Sequence, residues 1–323
     1  MKTLTLGDIK RDTFVALPNA SILCKKNDAS CTLCFAYGEK IPVGAFFSQI
    51  AGTAPNVSLG LTKLGHVSGV ISSIGTDQDG KDALAFLKEQ GIATTYVFQK
   101  KNYQMTHAVV LNFKGESTQL VAKNETAHQF PKKLPSYDLL HVAEIGDKYT
   151  SIFKEILTYE KRTHTPISIN PGTIQIKERT KELLALIKVS RVLFVNTKEA
   201  ALLTKLPLGT PPRKLLVALQ KLGPHTVVMT DGAKGAYAAH QKGAFFAPPF
   251  PAVRVEATGA GDAFSAGVLG ALLEKRKLSD ALAWGSINAS SVIEYIGPTA
   301  GLLSAAQIAK RLRTESSYRV AAI

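Results

Sequence analysis

Residues 256–273 read EATGAGDAFSAGVLGALL, and the rest of the chain falls into place around them. A glycine turn, Gly259-Ala260-Gly261, runs into Asp262 and then into an apolar run rich in small residues. Phe264, Val268 and Leu272 recur at helical spacing and share one face, while Ala266, Gly267 and Gly270 let that helix lie close to a neighbour. The first amides of a helix have no partner within it and carry partial positive charge, so this turn makes an anion hole. A carboxylate on its rim, Asp262, can take a proton from a hydroxyl that attacks a phosphoryl group held there. Its place at a helix start predicts a low pKa. The plainer reading is that the glycines only turn the chain and Asp262 only caps a helix.

Upstream, strand and helix patterns alternate. Strands are expected at 3–7, 66–74, 138–142, 166–170, 191–196 and 226–230. Helices are expected at 79–90, 150–161, 177–188, 198–204 and 213–222, with another ending at Gly65 on the strength of Val57, Leu61 and Leu64. This order implies parallel pairing through right-handed crossovers: an α/β fold, doubly wound, with a mostly parallel sheet flanked by helices. Two β-prone sets, in 20–48 (broken by Asn27-Asp28 and Gly38) and in 93–122, have no helices between their runs. They predict a small sheet made of insertions at about 15–48 and 93–122, a lid on one domain spanning 1–323. Residues 8–12, with Asp8 and Asp12, read as a loop after the first strand.

The chain has 323 residues, 45% hydrophobic and 20% charged, as an ordinary globular protein does. Its formal net charge is +14, but the Lys and Arg residues are scattered with no aromatic-interleaved basic stripe, so no nucleic-acid partner is expected. A positive field also suits an anionic substrate. No uncharged apolar run is long enough to span a membrane and MKTLTLGDIKRD has no signal-peptide core, so the expectation is a cytoplasmic protein without a membrane partner. Cys24, Cys31 and Cys34 lie in one short segment. An odd count argues against a secreted disulfide framework. C-x-x-C is also a zinc spacing, and His107 could add a fourth ligand if its strand is adjacent; the alternative is reduced cysteines packed among strands.

With these neighbours, EATGAGD resembles the signature of the ribokinase-like (PfkB-type) carbohydrate kinases, in which D-T-x-G-A-G-D supplies the anion hole and the catalytic aspartate. The resemblance implies ATP-dependent phosphorylation of a hydroxyl, with Asp262 as base and Gly259, Ala260 and Gly261 as the anion hole. It assigns sugar contacts to Asp12, Gly52, Asn56 and Glu144, and leaves Asp8 a structural role. Glu144 also follows the 138–142 strand, at the end where open α/β sheets bind ligands. His141, inside that strand, reads as a hydrogen-bonded core residue.

For the nucleotide, the resemblance points to Thr230, Gly232 and Gly235, and to Ser286 or Asn288, on a helix over 281–295, beside the adenine. It places Asn196 and Glu199 near the phosphates, Glu199 organising Mg²⁺ through water; the string N-x-x-E equally describes a helix N-cap with an acidic first turn. Two departures stand out. Glu256-Ala257 replaces Asp-Thr, which bears on a monovalent cation, and Thr53-Ala54 replaces Lys-Gly, which bears on ribose as the acceptor. A nucleoside kinase, a phosphosugar kinase and a non-catalytic binding protein of the same fold are the alternatives. A dinucleotide-dependent oxidoreductase is disfavoured, because no G-x-G-x-x-G follows the first strand. Lid sheets can also pair edge to edge, which would make a homodimer.

Overall fold

The computed structural model describes residues 1–24, 31–122, 128–146 and 148–323; the Asn27-Asp28 break lies outside them. From the N-terminus, β1 (Lys2–Leu6) is followed by β2 (Lys10–Ala16), a hairpin of β3 (Ser21–Cys24) and β4 (Cys31–Cys34), and β5 (Phe46–Ala51). Next come α1 (Thr53–Lys63), β6 (Val67–Gly75), α2 (Gln78–Glu89), β7 (Ala93–Lys100), β8 (Thr106–Phe113) and β9 (Glu116–Ala122). The middle of the chain runs β10 (Leu139–Val142), α3 (Thr150–Thr163), β11 (Ile167–Ile169), α4 (Thr173–Glu178), α5 (Lys181–Val189), β12 (Val192–Asn196), α6 (Thr197–Thr204), α7 (Pro212–Gln220) and β13 (Thr226–Thr230). It ends with β14 (Ala236–His240), β15 (Gly243–Ala247), α8 (Ala260–Leu273), α9 (Leu278–Val292), α10 (Ala305–Thr314) and β16 (Ala321–Ala322).

The main sheet has the order β16-β15-β14-β13-β12-β11-β10-β1-β6-β7. Strands β13 through β7 in that order are parallel, and β14, β15 and β16 extend one edge antiparallel. Both faces are buried, as period-two strands require when helices cover each side. In β12, Leu193 and Val195 join the cluster beneath α3, α5, α6 and α7, whereas Val192 and Phe194 join the one beneath α1, α8 and α9. The expected doubly wound α/β architecture is what the chain adopts. Successive crossovers go one way from β1 to β6 and β7, and the other way from β10 onward. The order therefore reverses between β1 and β10, where a crevice opens at the strands' C-terminal ends.

The second sheet, β5-β2-β8-β9, differs from the expected lid at its boundaries. It begins at Lys10 rather than about 15, and residues 93–100 form β7, paired parallel to β6 in the main sheet. The reason is local: α2 makes β6-α2-β7 an ordinary crossover unit. The helix expected over 177–188 is two, because Arg179 turns left-handed (φ 48°) and Thr180 caps a new start by accepting from the Leu183 amide.

The cysteines need a larger correction. Register places Cys24 opposite Cys31, and the two form a disulfide, which removes two of the three thiols expected to be reduced or to bind zinc. His107 instead hydrogen-bonds Asp79 at 2.8 Å, and among the described residues no group of three His, Cys, Asp or Glu side chains is disposed to hold a metal ion. His141 is fully buried and bonded to Ser168, as expected of a core residue. No helix among the described residues is long and apolar enough to cross a membrane.

Helix α8 lies in near-backbone contact with α9. A Cβ at Gly267 would sit 2.7 Å from the Trp284 carbonyl oxygen. Gly267→Val should therefore lower stability by about 2–3 kcal/mol, the cost of overpacking a tight core, read as a lower midpoint in urea.

Candidate active site

The crevice is built from the ends of β1 and β10. The Asp8 amide donates to the Glu144 carbonyl at 3.2 Å, joining the two loops. Helix α1 enters beside them through Gly52, whose φ of 116° suits glycine and whose missing Cβ would lie 2.4 Å from the Asp8 carbonyl oxygen. Asp12 was expected in a loop; it lies within β2, in register with Gln49 of β5 and Ala108 of β8. Strand alternation then places Lys10 on the same face, two residues earlier.

Four acids, Asp8, Asp12, Glu144 and Asp262, converge here around one base, Lys10. Asn56, buried on the first turn of α1, donates its amide to Asp262 Oδ2 at 2.7 Å, and the Thr53 hydroxyl hydrogen-bonds the same carboxylate. Lys10 Nζ reaches Glu144 Oε2 at 3.4 Å. Burial disfavours the Lys10 ammonium, but Glu144, Asp8 and Asp12 outweigh it and hold its pKa above the ordinary value. Asp12 is 6% exposed and its Oδ1 has no partner among the described residues. Burial pushes its carboxyl up to about 6, against the pull of Lys10 and with help from Asp262 and Glu256. Burial also raises Asp262, more than Asn56, Lys10 and Thr53 lower it. The low value expected from a helix start does not hold, because desolvation outweighs those contacts. Glu199 feels Glu144 and is likewise raised, chiefly by burial.

Asp8 keeps its expected structural role. Burial pushes it up, but the hydrogen bond from His128, together with the charge of Lys10, brings it below the usual carboxylate range. His128 Nδ1 accepts from the Ser73 amide at 3.0 Å, so Nε2 holds the proton it donates to Asp8.

Asp262 is the third residue of α8. Gly259 opens that helix in the left-handed region (φ 80°), pressed so closely on Pro298 that a Cβ would meet its Cα at 2.4 Å. The Ala260 amide donates to Ala257 and the Ala263 amide to Gly259. The amides of Gly259, Gly261 and Asp262 find no protein acceptor among the described residues, which is the donor set of an anion hole. Glu256 is fully buried just before this turn and accepts from Ser117 Oγ (2.6 Å), the Thr258 amide (2.6 Å) and the Gly297 amide (3.2 Å).

Alongside the anion hole lies a cavity of about 240 Å³. Thr230, Gly232, Gly235 and Ser286, all singled out from sequence, line it together with Ala260 and Gly261. Asn288 does not: it is fully buried, donating to the Ala263 carbonyl at 2.7 Å and accepting from the Leu303 amide at 3.0 Å. Asn196 and Glu199 form a capping box at the start of α6, at 2.9 and 2.8 Å, the helix-cap alternative read from the string. Sequence reasoning missed Lys10 and Gln49, which correct strand readings of 10–16 and 46–51 would have exposed. It also missed Phe250 and Ile293, apolar cavity walls that no motif marks.

A family model described as "pfkB family carbohydrate kinase" matches residues 20–305. The chain is similar to a ribokinase of Haemophilus influenzae, 25% identical over 302 residues, covering 90% of this chain and 91% of that one. Among solved structures it resembles Arabidopsis thaliana ribokinase complexed with ribose and ATP (TM-score 0.77, 21% identity, 96% and 98% of the two chains covered). It also resembles Burkholderia thailandensis nucleoside kinase in complex with inosine (TM-score 0.76, 19% identity, 98% and 99% covered).

The raised Asp12 carboxyl has a consequence for stability. In the unfolded chain Asp12 loses its proton near 3.8 but in the folded protein only near 6, so its contribution to stability falls as pH rises between those values. Asp12→Asn should therefore stabilise the ligand-free protein at pH 8 by up to roughly 3 kcal/mol relative to its effect below pH 4. Melting temperatures of both proteins at the two pH values test this; an equal difference at both would rule it out.

Proposed function

The chain belongs to the pfkB family of carbohydrate kinases, and on that premise we propose that it transfers the γ-phosphoryl group of ATP to a hydroxyl of a neutral sugar or sugar-containing small molecule. The observation behind this reading is the meeting of two halves at one helix start: free amides of α8 border the 240 Å³ cavity, while Asp262 turns into the carboxylate cluster. In the proposed reaction ATP lies in the cavity, its adenine between Phe250, Ala289 and Ile293 near Ser286. The acceptor lies beside Asp12, Asn56 and Glu144. Its hydroxyl gives a proton to Asp262 as the new O–P bond forms and the bond to the β-phosphate oxygen breaks, releasing ADP. The Gly259, Gly261 and Asp262 amides meet charge on the transferring oxygens. A raised Asp262 pKa makes it a better base than an ordinary helix-start aspartate.

Magnesium, when bound, would neutralise phosphate charge; Glu199 fits it through water, since its Oε1 accepts no hydrogen bond among the described residues. A monovalent cation fits less well, because Glu256 already accepts three hydrogen bonds from protein donors. The acids Asp12, Glu144 and Asp262 around one Lys10 would repel a second phosphate, which favours a neutral acceptor over a phosphosugar. The small sheet would act as the lid, and its edge strands expose Phe46, Leu120 and Val121 where two copies could pair.

Asp262→Asn should lower kcat by about three orders of magnitude while leaving ATP affinity within about twofold. Retained turnover in a coupled ADP-release assay would remove Asp262 from the base role. Asn56→Ala, which loses a hydrogen bond to Asp262, should raise the acceptor KM and lower kcat by about tenfold without moving the ATP KM.

A further inference from the structure

The small sheet has a face that looks onto the active site. Register sets Lys10 opposite Ala51, Asp12 opposite Gln49, and Phe14 opposite Phe47, and the two-residue period puts all six on one face. Two contacts fix its direction. Ser117, which belongs to the same face through Asn112 and Ala16, donates to Glu256 beside the anion hole. Gln49 packs against Gly297, whose amide donates to that same Glu256.

Two polar atoms on this face are buried and unused. Asp12 Oδ1 is an acceptor and Gln49 Nε2 a donor; they are cross-strand neighbours, yet among the described residues neither has a partner. A hydroxyl group satisfies both, donating to the carboxylate and accepting from the amide. The next pair along the strands is Phe14 with Phe47, rings 5.2 Å apart and nearly parallel at 15°. Phe14 is buried and Phe47 half-buried, so the pair offers an apolar, planar edge about 7 Å from the polar pair, two residues of strand away. A free sugar satisfies the polar pair alone; a sugar with an aromatic ring attached reaches both.

Resting on the kinase reading above, we infer that the acceptor is a nucleoside, its sugar hydroxyls held between Asp12 and Gln49 and its base against the Phe14–Phe47 pair. Phe47 is then a specificity-determining residue. Truncating it removes base contact and leaves the sugar contacts in place, an effect of about tenfold or more for a stacked base.

The experiment is ADP release by the full chain with Mg-ATP and either inosine or ribose. The kcat/KM for inosine should exceed that for ribose by at least about tenfold. Phe47→Ala should reduce the inosine-to-ribose ratio by about tenfold or more, and Phe47→Trp should retain it. Turnover of ribose or hexoses without turnover of inosine, adenosine or cytidine would overturn the nucleoside assignment and leave the kinase reading standing. So would a ratio unmoved by Phe47→Ala, since that is what a purely structural pair predicts. No acceptor-dependent ADP release with either kind of acceptor would overturn both.

Discussion

How closely α8 can approach its neighbours governs the site. Gly270 faces Leu64, at the end of α1, so tightly that a Cβ would come within 2.5 Å of that side chain, and three residues earlier, on a neighbouring line of the same helix, Gly267 meets the α9 backbone. Between these contacts the helix has little room to slide, and its first turn is pressed on Pro298 as well. The free amides and Asp262 therefore stand where the core puts them, not where a loop happens to settle. Preorganised donors need no rearrangement as charge develops, which is the condition under which a few N–H groups have a large effect. The small-residue run of α8 is thus a positioning device before it is a chemical one.

The main sheet and the anion hole were legible because each rests on local chemistry: period-two apolar strands, period-3.6 helices and a glycine turn before an acid. Four of the five expected contacts line the cavity, and three were legible for the same reason, since Thr230, Gly232 and Gly235 sit at a strand end and in the turn after it. Ser286 and Asn288 show where that reasoning stops. They are two residues apart on α9, about 200° around a helix, so one side chain meets the cavity and the other the Leu303 amide in the core. Composition alone does not say which. β2 was hidden for a different reason: KRDTFVA opens with three charged residues, and all three are used, Lys10 and Asp12 toward the site and Arg11 toward Asp79 and Asp82 on the other face. A strand charged on both faces has no amphipathic signal. β14 and β15, alanine- and phenylalanine-rich (AYAAH, GAFFA), carry too weak a pattern to announce an antiparallel edge. The Cys24–Cys31 bond depends on hairpin register, which spacing does not supply.

The acidity of the crevice in a chain of formal charge +14 is the remaining physical question. Asp12, Glu199 and Asp262 are all raised by burial, so the fold holds them in a setting that disfavours their charged forms. Lys10 answers only part of that charge, and it leans on Glu144. An arrangement this unfavourable persists because the surrounding sheet and helices over-determine it, as strained sites generally require. Its use follows from the direction of each shift. A carboxylate raised by desolvation is ready to take a proton, and a buried acceptor without a partner binds a hydroxyl more readily than water-exposed groups do. Destabilisation of the ligand-free crevice and affinity for a hydroxylated ligand are two readings of one cause: among the described residues Asp12 Oδ1 lacks a donor until the ligand brings one.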